Sequence, residues 1–164
     1  MTLTPTQLAT LKAAILADPV FSAQPNTNVG NSVIAESMNA PASPAFVVWK
    51  TLVQTGSIGK TVNYVAVAAM TTANLERLNN FLGMNPSEFD PGRADIRAFM
   101  ADTFSGALGG QGQATRDALD ALYRRNALLI EKILATGTGS TASPAVMGRE
   151  GTITPDEIEQ ARAS

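Results

Sequence analysis

The chain has no cysteine and no histidine. Without cysteine there is no disulfide, no thiolate nucleophile and no thiolate metal site. Without histidine, the commonest general base and the commonest transition-metal ligand are both missing. Acid–base work by carboxylates alone stays open, but most hydrolase and metalloenzyme designs are excluded. Catalytic residues, cofactors and bound metals are therefore expected to be none, and the chain is not expected to be an enzyme. Aromatic residues make up only 5% and charged residues 16%, against 45% apolar. Alanine and the aliphatic residues must do most of the packing, which leans toward helices. The formal charge of -2 shows no basic excess of the kind a general nucleic-acid binder carries. No apolar run approaches the roughly 20 residues needed to cross a bilayer, so no membrane partner is expected. Residues 1–19 lack a basic region ahead of an apolar core, which predicts a chain that stays in the compartment where it is made.

Charge is scarce in one part of the chain above all. Before residue 75 the charged residues are Lys12, Asp18, Glu36, Lys50 and Lys60, and all others come later. A monomer normally spreads charge over its surface. Either Thr, Asn, Ser and Gln keep this part soluble, or much of it packs against other subunits.

A length of 164 residues suits one compact domain with a tail. Thr4, Pro5 and Gln7 form a helix start with a capping box, and Leu8, Leu11 and Ile15 then share one face. Pro19 should end this helix, with a loop to Gly30 and a short helix over 31–39. Ser43-Pro44 is a good helix start, whereas Phe46-Val47-Val48-Trp49 is strand-like in composition. A short helix or turn delivering Trp49 into the core is expected. Residues 54–61 read as loop, and Val62 to Met70 as strand or buried helix, between which periodicity does not choose. A helix after Thr72 presents Leu75, Leu78 and Leu82. Residues 83–92 form a connector, and a helix from about Arg93 presents Ile96, Phe99, Met100 and Phe104. After a flexible break at 105–112, the longest helix should run from 114 to 135, with Leu119, Leu122, Asn126, Leu129 and Ile133 on one stripe. Residues 136–145 are small and low in complexity, which suggests an extended arm. A short strand within 146–153 and a helix over 155–163 follow, the latter opened by Thr154-Pro155 with Glu157 closing a second capping box. The expected fold is mainly α: a bundle of four to five helices over 1–136, with an extended C-terminal arm and short terminal helix over 137–164.

The most tempting motif is Gly56-Ser57-Ile58-Gly59-Lys60-Thr61, which ends as a P-loop does. A P-loop needs glycine where Gln54 stands, so that backbone N–H groups can curl around phosphate. A loop without nucleotide is expected. Glu88, Asp90 and Asp95 surround a turn but lack the alternating oxygen ligands of a calcium loop. Asp95 is better explained as favouring a helix start. Arg93/Arg97 and Arg124-Arg125 are the densest cationic spots, each balanced by nearby acids. A solvated helix face accounts for them, and phosphate contact in a DNA-lined channel is the alternative. Serine nucleophiles lack a partner base. Trp49 and Tyr64 read as core anchors rather than stacking platforms.

Three stretches resemble a family of small structural proteins encoded among the head and tail genes of tailed phages. They are Leu3-Thr4-Pro5-Thr6-Gln7-Leu8, Pro41 to Thr51 (PASPAFVVWKT), and Glu131 to Gly139 (EKILATGTG), the last followed by Thr141-Ala142-Ser143-Pro144-Ala145 and Glu150-Gly151. The resemblance covers most of the chain in the same order, and it implies a role in virion assembly.

The preferred role is that of a head–tail connector: an adaptor ring subunit docking on the portal and joining it to the tail. The partners expected are further copies of the chain in a homo-oligomeric ring, the portal protein, tail or neck proteins, and non-specific contact with passing genomic DNA. The expected location is the virion neck, with the host cytoplasm during assembly. Candidate interface residues are Trp49, Arg124, Arg125, Pro144, Val146, Ile153 and Ile158. The alternatives are a tail-completion or other minor head or tail protein and, from another class, a phage regulator in the host cytoplasm.

Overall fold

The computed structural model describes residues 3–85 and 87–164. Pro86, within the expected connector, and the first two residues lie outside the described residues. Along the chain run α1 (Pro5–Ala17), α2 (Pro19–Ser22), α3 (Asn28–Met38), β1 (Val47–Trp49), β2 (Val53–Gln54), α4 (Thr55–Thr61), α5 (Tyr64–Ala68), α6 (Thr72–Met84), β3 (Glu88–Phe89), α7 (Ala94–Thr103), a 3-10 turn, α8 (Gly109–Tyr123), β4 (Arg124–Asn126), α9 (Leu129–Leu134) and α10 (Pro155–Ala163). One two-stranded sheet pairs β1 with β4. The other pairs β2 with β3, antiparallel, with Val53 opposite Phe89 and Gln54 opposite Glu88. The chain is mainly helical, but it is not a bundle of four to five helices. Its helices are more numerous and mostly shorter, and two small sheets join them.

Several local devices act as expected. The Thr4 hydroxyl accepts from the Gln7 N–H at 3.2 Å, and the Gln7 side chain accepts from the Thr4 N–H at 2.9 Å. Thr154 and Glu157 repeat the exchange at the start of α10. Pro19 does more than end α1. It opens α2, whose first N–H groups are taken up by the Asp18 carboxylate at 2.8 and 3.2 Å.

Other expectations are corrected. Within 54–61, expected as loop, Gln54 ends β2 and residues 55–61 form helix α4, which seats Ile58 in the core. The segment after Val62 resolves as helix, with Asn63 capping α5. Val47 to Trp49 follows its β-branched and aromatic composition into β1, and the helix start at Ser43-Pro44 is not used. The long helix over 114–135 is broken. A continuing helix would use the carbonyls of Leu122 and Tyr123 for the N–H groups of residues 126 and 127. Instead the Lys50 ammonium donates to the Leu122 carbonyl at 2.7 Å and the Lys50 N–H to the Tyr123 carbonyl at 2.8 Å. The Ala127 N–H donates to the Phe46 carbonyl at 2.8 Å. With those backbone groups spent elsewhere, α8 ends at Tyr123 and α9 begins afresh.

The chain divides into two compact units. Unit 1 comprises residues 1–48 and 126–164, and unit 2 comprises residues 49–125. Unit 2 is thus an insertion in the sequence of unit 1.

In unit 1, Leu11 and Ile15 of α1 meet Ile34 and Met38 of α3, Ile130 of α9 and Ile158 and Ala161 of α10 in one core. Residues 137–164 are therefore not an extended arm. Ile153 is buried, Ile158 and Ala161 are as buried as any residue of α1, and α10 packs on α1 and α3. Side chains also bind this segment to backbone. The Asn39 carboxamide accepts from the Ile153 N–H at 2.7 Å and donates to its carbonyl at 2.9 Å, as a neighbouring strand would. Arg162 donates to the carbonyls of Gln24 and Pro25 and to the Asn31 side chain. Within 146–153 the expected strand is reduced to one bridge, Val146 to Thr136. Gly139 has φ +64, and a Cβ there would run into the Phe46 ring, so only glycine fits.

Unit 2 has its own core, in which Phe81 stacks on Phe99 at 5.2 Å and meets Phe89 edge-on at 5.4 Å. Phe89 in turn meets Tyr123 edge-on at 5.7 Å. Six phenylalanines are few for a chain of this length, and four of them, Phe81, Phe89, Phe99 and Phe104, are gathered here.

Two outcomes are expected for unit 1. Ile158 is completely buried, so Ile158→Ala should cost about 2–4 kcal/mol of stability in urea titrations. An arm-like α10 would leave the midpoint unchanged. Arg149 and Glu157 form a bidentate pair at 2.7 and 3.1 Å, with both side chains only 12% exposed. Burial pushes the Glu157 carboxyl up, but the Arg149 hydrogen bonds and charge and the Thr154 N–H outweigh burial and hold it below its ordinary 4.5. A value lowered by folding means stabilisation that is complete above the ordinary value and is lost as pH falls through the folded one. Glu157→Gln should therefore lower the neutral-pH midpoint and flatten its fall with acid.

Candidate functional site

The sequence-predicted cationic and aromatic residues meet in unit 2. Trp49, at the end of β1, lies beneath two guanidinium groups. The Arg97 carbon is 4.4 Å from the ring centroid and that of Arg124 is 5.2 Å away. Each arginine is held by a second contact. Arg97, from α7, donates to the carbonyls of Pro91 and Gly92 at 2.6 and 2.7 Å. Arg124 donates to the Asp120 carboxylate one helical turn back at 2.6 Å. Burial lowers the Arg97 pKa, and the charges of Asp120, Asp90 and Asp95 oppose that shift. Tyr123 anchors the floor. Burial, and then the Asp120 charge, push its hydroxyl well above the usual tyrosine range. Among the described residues nothing hydrogen-bonds that hydroxyl.

A cavity of about 130 Å³ adjoins this cluster between α7 and α8, bounded by Arg97, Arg116, Asp117 and Asp120 among others. Two cations and two anions make it close to neutral, which suits neither a free anion nor a free cation. The Tyr123 hydroxyl is sealed from solvent and gives the cavity no open donor. The arrangement braces Trp49 against the end of α8, and it offers no nucleophile with an adjacent base.

Of the other interface candidates, Arg125 is half-buried, Val146 is exposed, and Pro144, Ile153 and Ile158 are buried in unit 1. Gly59-Lys60-Thr61 sits at the C-terminal end of α4, where a helix offers carbonyls, and phosphate is held at the opposite end. Asp95 pairs with Arg93 at 2.6 Å, and Asp90 accepts from the Gly92 N–H. Among the described residues no group of three or more carboxylates is placed to hold a metal ion, and no helix is long and apolar enough to cross a membrane.

Two apolar surfaces escaped the sequence analysis. The outward side of α1 presents Pro5, Ala9, Ala13 and Leu16, the last 65% exposed. The signal was present, since α1 carries a single charge, Lys12. A helix apolar on all sides is normally covered on all sides. In unit 2, Phe81, Met84, Ile96 and Phe99 line a groove of about 550 Å³ between α6 and α7, and Met84 is 76% exposed. The Arg93–Asp95 pair stands at its rim.

Apart from Trp49, Lys50 and Thr51, the stretches on which the phage resemblance rests lie in unit 1. The Gln7 carboxamide donates to the Gly148 carbonyl at 2.8 Å, beside the Glu150-Gly151 turn. The Glu131 carboxylate accepts from the Gly151 N–H at 2.8 Å. The Val47 N–H donates to the Gly139 carbonyl at 2.7 Å, and the Ala145 N–H to the Val47 carbonyl at 2.9 Å. No protein-family model matches the chain, and neither a curated protein nor a solved structure matches it.

The Arg97 brace has a direct test. Arg97→Met removes two charge-assisted bonds to carbonyls and the contact with Trp49, and should destabilise unit 2 by about 1–3 kcal/mol. Trp49 is the one tryptophan in the chain, so its emission during urea unfolding reports on this unit. Arg97→Lys should rescue only in part, because an ammonium lacks the planar fork. Equal midpoints for all three proteins would make the stack incidental.

Proposed function

We propose that the chain is a structural subunit of a tailed-phage particle, and most specifically a head–tail connector that forms an adaptor ring between portal and tail. The observation that carries this reading is the convergence just described. The three stretches that resemble the phage family are far apart in the sequence, yet within unit 1 the C-terminal stretch meets each of the other two. They work together as packing and hydrogen-bonding elements, and the resemblance therefore concerns a scaffold more than a site of chemistry.

The exposed apolar residues fit an assembling protein. Leu16, Val20, Val29, Val33, Leu52, Tyr64 and Val65 are all exposed in the charge-poor part of the chain. Faces of this kind are covered when copies meet around an axis. The portal protein and tail or neck proteins would bind the two ends of such a ring. A formal charge of -2 would let DNA pass without strong attachment. The working location is then the neck of the virion, reached from the host cytoplasm during assembly.

Quantitative mass spectrometry of purified particles tests the proposal. A connector ring should give on the order of a dozen copies per particle, as one interface repeated around a cyclic axis requires. Hundreds of copies would place the chain on the capsid or tail tube and overturn the connector role. Absence from the particle would overturn the structural role altogether.

A further inference from the structure

We propose that unit 1 carries a binding site for a phosphate group, in the pocket where α1, the turn after α2 and α10 meet. The proposal goes beyond the ring reading and stands or falls separately from it.

The pocket, of about 160 Å³, is walled by Lys12, Ile15 and Leu16 of α1, by Ser22 and Asn26 at and beyond the end of α2, and by Arg162 of α10. Two cations from opposite ends of the sequence meet there, and no Asp or Glu shares the wall. Several other arginines stand beside carboxylates. Arg93 pairs with Asp95, Arg124 with Asp120 and Arg149 with Glu157. The cavity between α7 and α8 matches Arg97 and Arg116 with Asp117 and Asp120. Arg162 is half-buried and held by neutral oxygens: the carbonyls of Gln24 and Pro25 at 2.7 and 3.2 Å and the Asn31 carboxamide at 2.9 Å. Those bonds fix the guanidinium without cancelling its charge, and a guanidinium has further N–H donors to give. The Lys12 ammonium donates to the Ser164 carbonyl and likewise has hydrogens to spare. Asp18, at the end of α1, is occupied by the N–H groups of Val20 and Phe21. Like charges on a concave wall leave a positive potential that an anion offsets. The exposed side chains of Ser22 and Asn26 add a hydroxyl and an amide, and among the described residues neither is engaged in a hydrogen bond. Donors therefore come from four side chains on three segments. Such a set suits a phosphate, with oxygens on several sides, better than a flat carboxylate. A liquid water occupies roughly 30 Å³, so the pocket has room for a group of this size. Ile15 and Leu16 give it an apolar floor, beside which the attraction is less screened than in open water.

The test is an amide chemical-shift titration of the purified full chain with inorganic phosphate, against chloride at equal ionic strength. Saturable shifts are expected at residues 12–26 and 160–164, with chloride giving none. Lys12→Met removes one charge-assisted bond and should weaken phosphate by about tenfold or more. Arg162 is left in place because it also clamps Gln24 and Pro25. Asn26→Ala changes an exposed side chain, should fold like the parent and should weaken phosphate several-fold. It decides the matter if Lys12→Met does not fold. A short DNA duplex is the second titrant. Shifts at the same residues would make the nucleic-acid backbone the source of the phosphate, and shifts with inorganic phosphate alone would make it the free ion. Shifts that never saturate, that chloride reproduces, or that persist at full affinity in the folded variants would overturn the proposal.

Discussion

Glu131 is a carboxylate with only 1% of its surface exposed, in the middle of an aliphatic core. A buried charge is costly unless its oxygens are occupied. One oxygen accepts from the Leu128 N–H at 2.8 Å and the other from the Gly151 N–H at 2.8 Å. The first bond starts α9 just after the chain has left α8. The second fixes the turn that leads into α10. With that turn fixed, Asn39 can pair with Ile153, and Ile158 and Ala161 can enter between α1 and α3. Most of what makes unit 1 a single body follows from one side chain that joins two distant backbone positions.

Unit 2 is braced differently. Its interior is aromatic, and its cations act as struts. Lys50 occupies a carbonyl at the end of α8, Arg97 two carbonyls next to β3, and Arg124 a carboxylate one turn back. The ring of Trp49 lies under both guanidinium groups. An arginine used in this way contributes its apolar stem to packing as well as its charge. It also has fewer donors left for a phosphate. Arg97 and Arg124 are thus explained by what they hold inside the unit.

Local signals were legible in the sequence and distant ones were not. The two capping boxes, at Thr4 and Thr154, lie entirely within four residues, and both form as expected. The helix stripe at Leu119 to Ile133 was misleading because periodicity cannot see that Lys50 would claim the carbonyls of Leu122 and Tyr123. The C-terminal segment looked like an arm because its composition is small and polar up to Pro144. What holds it, Asn39, Glu131 and Gln7, lies elsewhere in the chain. Trp49 and Arg124 were each legible as candidate interface residues, but their contact was not, because 75 residues of sequence separate them. The outward face of α1 and the α6–α7 groove were not found, because exposure depends on which side of a helix the rest of the fold leaves open.

The insertion of unit 2 has a consequence for the order of events during synthesis. Residues 49–125 emerge from the ribosome ahead of α9 and α10. Unit 2 can therefore close while unit 1 exists only as α1 to α3, with Leu11, Ile15, Ile34 and Met38 still lacking the partners that bury them. For that interval the growing chain carries a finished body and an open apolar half. Late arrival of Glu131 and Ile158 makes the sticky half the last to be satisfied, and the charge-poor beginning of the chain is the part that waits.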